Sequence, residues 1–223
     1  MQQDIFQKDT FQTILCYGDS NTYGYNPVDG MRYPERVRWP RLMAGMLGDA
    51  YRVIEEGCNG RTASVTPVDE PWKDGRIGLE ACLNSHKPID LVIFMLGSND
   101  LKTQFQATPE SIAKAMGSVL QKTLEFLAEK QGYSPQVLLV APPHVGDGIE
   151  SSAFADRFDG TAAGKSRQLA ALYEAEAKAA GCEFWDSSQV AKASEIDSLH
   201  LMPEAHEAFA KAIAEKAKAI LRR

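Results

Sequence analysis

Five short apolar runs, each followed by a polar or glycine-bearing break, constrain this chain more than any other feature. They occupy residues 13–17, 51–57, 89–96, 137–141 and 182–186. The third is almost continuously apolar, as a strand covered on both faces must be. Helical patterns fall between the runs. One spans Trp39–Leu47 and stops at Gly48, and another covers 75–87. A long one starts at Thr108-Pro109 and reaches about Lys130; Ala162–Ala180 is closed by Gly181, and Pro203 opens the last. Alternation of this kind predicts an α/β fold: a five-stranded parallel sheet in a three-layer α/β/α sandwich. At 223 residues, with no repeat or linker, the chain is expected to be one domain over 1–223. Segments 18–38, 143–161 and 187–202 are left as loops. Loops that long are uncommon in compact domains and point to function or to an interface.

Charge and composition then remove several classes of partner. A net charge of -6 argues against broad nucleic-acid binding and against an anionic membrane surface. It leaves room for an anionic substrate, because a site can be locally basic. No run of about 18 apolar residues exists, so no transmembrane helix is expected. Met1 to Phe11 is polar and lacks an apolar core, so no signal peptide is read and a cytoplasmic location is expected. Cys16, Cys58, Cys82 and Cys182 form no C-x-x-C pair. They read as reduced and mostly buried, with neither disulfides nor a metal site, and no cofactor is expected.

Parallel connectivity places the carboxyl ends of all strands on one edge, where open α/β sheets bind ligands. Four polar segments follow strands there: Gly18-Asp19-Ser20, Asn59-Gly60-Arg61, Gly97-Ser98-Asn99-Asp100 and Asp197-Ser198-Leu199-His200. Together they hold what acyl transfer to a serine requires. A serine hydroxyl needs an adjacent base. A histidine can serve, with a carboxylate to fix its tautomer. The oxyanion of the tetrahedral intermediate needs preorganised donors. Ser20, His200 and Asp197 are the candidate nucleophile, base and orienting carboxylate. The backbone N–H groups of Ser20 and Gly60 and the Asn99 amide are the candidate oxyanion donors.

In order and spacing these segments resemble the sequence blocks of the GDSL family, the SGNH hydrolases. Ser20, Gly60, Asn99 and His200 match its four named positions, and Asp197 stands three residues before the histidine as the family has it. The match runs from Ile14 to His200. Glu55-Glu56-Gly57 followed by Arg61-Thr62 is similar to bacterial aryl and acetyl esterases, some of which also transfer acyl groups to alcohols or peroxide. The resemblance implies a flavodoxin-like sandwich, small-molecule ester substrates, and a homo-oligomer in which loops from neighbours wall the pocket. Asn21 departs from the family pattern, which has leucine there.

Remaining candidates are less defined. Asp19, Asn21, Tyr23, Trp72 and His144 are the candidate substrate contacts. Tyr23, Tyr25 and Trp72 form either a pocket rim or a subunit contact, and His144 either lines the pocket or merely follows a strand. Tyr17 and Trp39 are expected in the core, and Asp90 at a turn. Arg61 can bind an anionic group, but a salt bridge to Glu55 or Glu56 is the expected role. His206, in a charged, alanine-rich helix, is expected to be solvated. A G-x-S-x-G elbow is excluded because Thr22 occupies its second glycine position, and no G-x-G-x-x-G or P-loop pattern occurs. Thioesterase or lysophospholipase chemistry, or a catalytically silent carbohydrate-binding module on the same fold, are the alternative functions.

Overall fold

A computed structural model describes residues 11–222. Segment 1–10, which carries most of the leader reading, lies outside them. Five strands, β1 (Gln12–Gly18), β2 (Tyr51–Gly57), β3 (Leu91–Met95), β4 (Gln136–Ala141) and β5 (Glu183–Asp186), form one parallel sheet in the order β2-β1-β3-β4-β5. Helices α1 (Ser20–Tyr23), α2 (Trp39–Leu47), α3 (Leu79–His86), α4 (Pro109–Gln131), α5 (Thr161–Ser166), α6 (Leu169–Ala179) and α7 (Pro203–Leu221) complete the fold. Among the described residues no helix is long and apolar enough to cross a membrane.

The period-two alternation of β1 builds the three layers. Leu15 and Tyr17 face a core shared with Leu79 and Leu83 of α3, Met116 of α4 and Tyr173 of α6. Ile14 and Cys16 face the opposite core, with Trp39 and Met43 of α2 and Phe209 and Ile213 of α7. Burial on both faces is why β3 is apolar at every position. This is the three-layer, flavodoxin-like α/β/α sandwich. Strand order reverses between β1 and β3, and the ends of both strands open on that crevice.

Several boundaries move for tertiary reasons. Residues 75–78 precede α3 as a turn in which Gly75 N–H donates to Thr62 O and Asp74 binds Arg76. Strand β3 begins at Leu91 because Ile89 is tied to the end of α4, through both its N–H and its carbonyl, by the Gln131 amide. Asp90 does more than turn the chain: its carboxylate accepts from Thr13 N–H at 2.7 Å, fixing the start of β1. The stretch 162–180 is two helices, since Ser166 Oγ accepts from Val145 N–H where the first one ends. The 18–38 segment contains α1 and an antiparallel bridge between Tyr25 and Arg32. His206 is fully buried, not solvated: its Nδ1 accepts from Trp39 N–H at 3.4 Å, and Tyr33 packs edge-on against its ring. The apolar face of α7 turns inward at that position, which the local charge pattern concealed. Of the four cysteines only Cys16 is fully buried; all are free thiols.

Candidate active site

The site is built on two strand ends and one loop. Strand β1 ends at Gly18, and Asp19 caps α1 by accepting from Asn21 N–H at 3.0 Å. That cap places Ser20 at the first position of the helix, where its own N–H lacks an intrahelical acceptor. Gly24 ends the turn at φ 86°, a conformation open to glycine. Strand β3 ends before Gly97, and Asn99 and Asp100 begin a single 3-10 turn. His200 arrives from the far end of the sequence, on the loop between β5 and α7.

Ser20, His200 and Asp197 form one hydrogen-bonded chain. Ser20 Oγ is 2.9 Å from His200 Nε2, and His200 Nδ1 is 2.6 Å from Asp197 Oδ2. All three residues are buried. Asp197 Oδ1 accepts from Ser194 Oγ at 2.8 Å and from the N–H groups of Leu199 and His200 at 3.0 and 2.9 Å. Burial pushes the Asp197 carboxyl up, but its bond to His200, the imidazolium charge and these N–H donors together hold it below the usual carboxylate range. An ionised Asp197 accepts from Nδ1–H and leaves Nε2 free to accept from Ser20. Ser198 sits at φ 59°, a sparsely populated conformation that sharpens the turn between the two residues. Tyr25 stacks on the His200 ring at 4.1 Å between centroids, and Phe154 packs at 5.4 Å.

Three potential oxyanion donors surround Ser20. Gly60, at φ 81°, lines the same cavity as Ser20 and Asn99. Asn99 Nδ2 donates to Arg61 O at 3.2 Å and lies 3.5 Å from Asp19 Oδ2, a contact long enough for a stronger acceptor to replace. The buried Asp100 carboxylate accepts from Ala63 N–H, Ser64 N–H and Ser64 Oγ, locking the loop that carries Gly60. Burial raises the Asp100 pKa, against the pull of those donors. Burial likewise lifts Asp19 to about 6.

Arg61 corrects the expected role. It makes no salt bridge to Glu55 or Glu56; its guanidinium donates to the backbone carbonyls of Gly18 and Glu56 and lies 4.0 Å over the Tyr17 ring. Glu55 is held instead by a two-pronged contact from Arg38 at 2.8 and 2.9 Å. Arg61 thus staples the ends of β1 and β2 beneath the site.

The cavity at Ser20 has a volume of about 110 Å³. Tyr25, Asn59, Phe154, Phe158 and Leu199 wall it, and Lys73, Lys102 and Arg157 supply charge. Of the candidate substrate contacts, Asp19 is buried beneath Asn99 and Asn21 is buried against the His200 loop. Tyr23 carries the Arg32 guanidinium on its ring, Trp72 is 62% exposed, and His144 lines a separate cavity with Val145, Asp147 and Arg167. None of these five is among the cavity's lining residues. Phe154 and Arg157 come from the 143–161 segment, where no motif marks them; Lys73 is the sequence neighbour of Trp72. Outside the cavity, Glu56, Cys82 and His86 bring ligand-type atoms within 4.8 Å of one another, with His86 Nε2 already 2.8 Å from Glu56.

Comparison with known proteins follows this geometry. A sequence model described as the GDSL-like lipase/acylhydrolase family matches residues 16–208. A carbohydrate acetylesterase from Sinorhizobium meliloti is 38% identical with a TM-score of 0.85, over 93% of this chain and 99% of its own. The native aryl esterase of M. smegmatis is 35% identical with a TM-score of 0.88, over 94% and 99%. A further carbohydrate acetylesterase family member from S. meliloti is 32% identical, TM-score 0.87, over 96% and 100%. Among curated proteins no match is found. The extent of these matches settles the family: the chain is a member of the GDSL-like lipase/acylhydrolases.

Proposed function

We propose that this protein is a serine esterase that hydrolyses short-chain carboxylic esters, acetyl and aryl esters in particular. The unbroken path from Ser20 Oγ through His200 to Asp197, at 2.9 and 2.6 Å, carries the reading. Ser20 Oγ attacks the ester carbon while its proton passes to His200 Nε2. Negative charge builds on the former carbonyl oxygen, which takes donors from Ser20 N–H, Gly60 N–H and Asn99 Nδ2. Collapse expels the alcohol oxygen, which receives the proton from His200 and leaves the acyl group on Ser20. Water then attacks the acyl carbon with His200 as base, releasing the carboxylic acid and restoring the serine. An alcohol or peroxide in place of that water gives acyl transfer. The aryl esterase and acetylesterase relatives support the acetyl and aryl preference. Exposed Val28 and Met31, on the loop after α1, support a homo-oligomeric contact there.

A fluorophosphonate probe should label Ser20 and nothing else at stoichiometric dose. Ser20→Ala should abolish labelling and lower kcat by several orders of magnitude. A variant that keeps more than about a tenth of wild-type activity would sink the assignment.

A further inference from the structure

The cavity on Ser20 is cationic, although the protein carries a net charge of -6. Lys73, Lys102 and Arg157 line it, and no Asp or Glu is among the described residues that do. The three side chains come from separate parts of the chain: a 3-10 turn before α3, the turn after β3, and the segment before α5. Two of them have acidic neighbours. Lys73 pairs with Glu70, and Arg157 Nε lies 3.5 Å from Asp156 in an exposed contact. Lys102 makes no ion pair among the described residues; Asp19 and Asp100 act on its ammonium only from a distance. Burial, with Arg157 and Lys73 as like-charged neighbours, lowers its pKa. Like charges gathered this closely oppose one another, and the pairs to Glu70 and Asp156 offset that for Lys73 and Arg157 but not for Lys102. The cluster does raise the local concentration of an anion.

A groove of about 300 Å³ extends from this cavity, and both share Gly60, Lys73, Lys102 and Arg157; Glu70 and Asp156, the acidic neighbours of Lys73 and Arg157, also line the groove, which leaves Lys102 as the cation without an ion-pair partner among the described residues there. The cavity at Ser20 is the smaller space and suits a short acyl group; the groove suits the larger part of a substrate. We infer that the alcohol portion of the ester carries an anionic group, a carboxylate, sulfate or phosphate, held against Lys102 and Arg157. The preferred substrates are then short-chain esters of acidic alcohols, such as acidic sugars, hydroxy acids or phenolic acids. This inference rests on the esterase reading.

The test compares kcat/KM for 4-acetoxybenzoate and its uncharged analogue 4-acetoxybenzamide. The phenoxide released from the benzamide is the better leaving group, so intrinsic reactivity works against the expected result. Wild-type enzyme should favour the carboxylate by on the order of ten- to a hundredfold, the range of a hydrogen bond to a charged group. Lys102→Gln and Arg157→Gln should each pull that ratio toward one, and Lys102→Arg should keep it. Raising salt to about 1 M should shrink the wild-type ratio without any substitution, because the Debye length falls to about 3 Å. Cleavage of both esters with no preference, or a preference indifferent to salt and to both glutamine variants, overturns the anion subsite alone. Cleavage of neither ester overturns the esterase reading and this inference with it.

Discussion

Asn21 grips the backbone on both sides of His200. Its Nδ2 donates to Leu199 O at 3.2 Å, and its Oδ1 accepts from Leu201 N–H at 3.0 Å. One amide, next in sequence to Ser20, therefore fixes the loop that brings His200 to Ser20 from 180 residues away. The family has leucine here, which offers neither bond. Asn21→Leu should leave two buried backbone groups unpaired, at about 1–3 kcal/mol each. The looser His200 should lower kcat at least tenfold while KM changes little. Steady-state kinetics beside a urea melt separate the two effects. Unchanged kcat with lowered stability would reduce Asn21 to a structural part.

Two buried groups give folding stability opposing dependences on pH. Asp19 is raised by burial from 3.8 to about 6. Between those values the folded state holds a proton that the unfolded chain has lost, so stability falls as pH rises. Above about pH 6 the ionised carboxylate costs on the order of 3 kcal/mol. His206 is lowered from 6.5 to about 4, by burial first and then by His200 and Arg38. Between those values the unfolded chain holds the extra proton, so stability falls as pH drops. The two slopes largely cancel from about pH 4 to 6. Asp19→Asn keeps an acceptor for Asn21 N–H and removes the first slope. Its urea midpoint should rise relative to wild type at pH 8 and gain less at pH 5. An equal shift at both values would mean that Asp19 is not ionising within this window.

Gly57 couples the sheet to the helix that carries Ser20. A Cβ there would sit 2.1 Å from Tyr23 N and 2.5 Å from Tyr23 Cα, both backbone atoms of α1. Strand β2 and the helix carrying Ser20 touch with no room for a methyl group. Gly57→Ala should displace α1, costing about 1–3 kcal/mol from overpacking and at least tenfold in kcat. Gly45 is the internal control. It is exposed within α2, and a Cβ there meets nothing within 4 Å. Gly45→Ala should stabilise by about 0.5–1 kcal/mol and leave kinetics alone. Thermal melts and kcat of both variants decide the matter. A Gly57→Ala enzyme as active as Gly45→Ala would show that α1 can shift without moving Ser20.

Much of this was legible because buried parallel strands write themselves as continuous apolar runs. Leu91–Met95 is the clearest, and the residues that follow strands fall on one sheet edge by topology alone. Ser20, Asn99, Asp197 and His200 could thus be assembled without coordinates. What stayed hidden depends on side-chain direction. Arg61 reads as an ion-pair residue until its guanidinium is seen on backbone carbonyls. His206 reads as solvated until α7 is turned against α2. Lys102 and Arg157 lie 55 positions apart, the first just past the Asn99-Asp100 block and the second in a loop, and only the folding of two loops over one crevice brings their charges together.

The acyl chain should be short. The cavity at Ser20, about 110 Å³, is smaller than the roughly 150 Å³ cavity that admits benzene in a protein core. Phe154, Phe158 and Tyr25 close it, and two of these rings also pack on His200, so widening it would disturb His200. A lipase acting at lipid surfaces needs a broad apolar patch, usually beneath a mobile lid. Here the exposed apolar side chains Val28, Met31, Val68 and Trp72 stand among charged neighbours such as Asp29, Arg32, Asp69 and Lys73. Lys102 and Arg157 at the mouth add a charged threshold that a long alkyl chain would have to cover and desolvate. Acetyl and propionyl esters of p-nitrophenol should therefore be cleaved fastest, with kcat/KM falling steeply by octanoyl. The series must be measured below each ester's critical micelle concentration, so that aggregation does not mimic specificity. Rates that climb with chain length, or jump when micelles form, would mean that the cavity opens in solution and that the enzyme works as a true lipase.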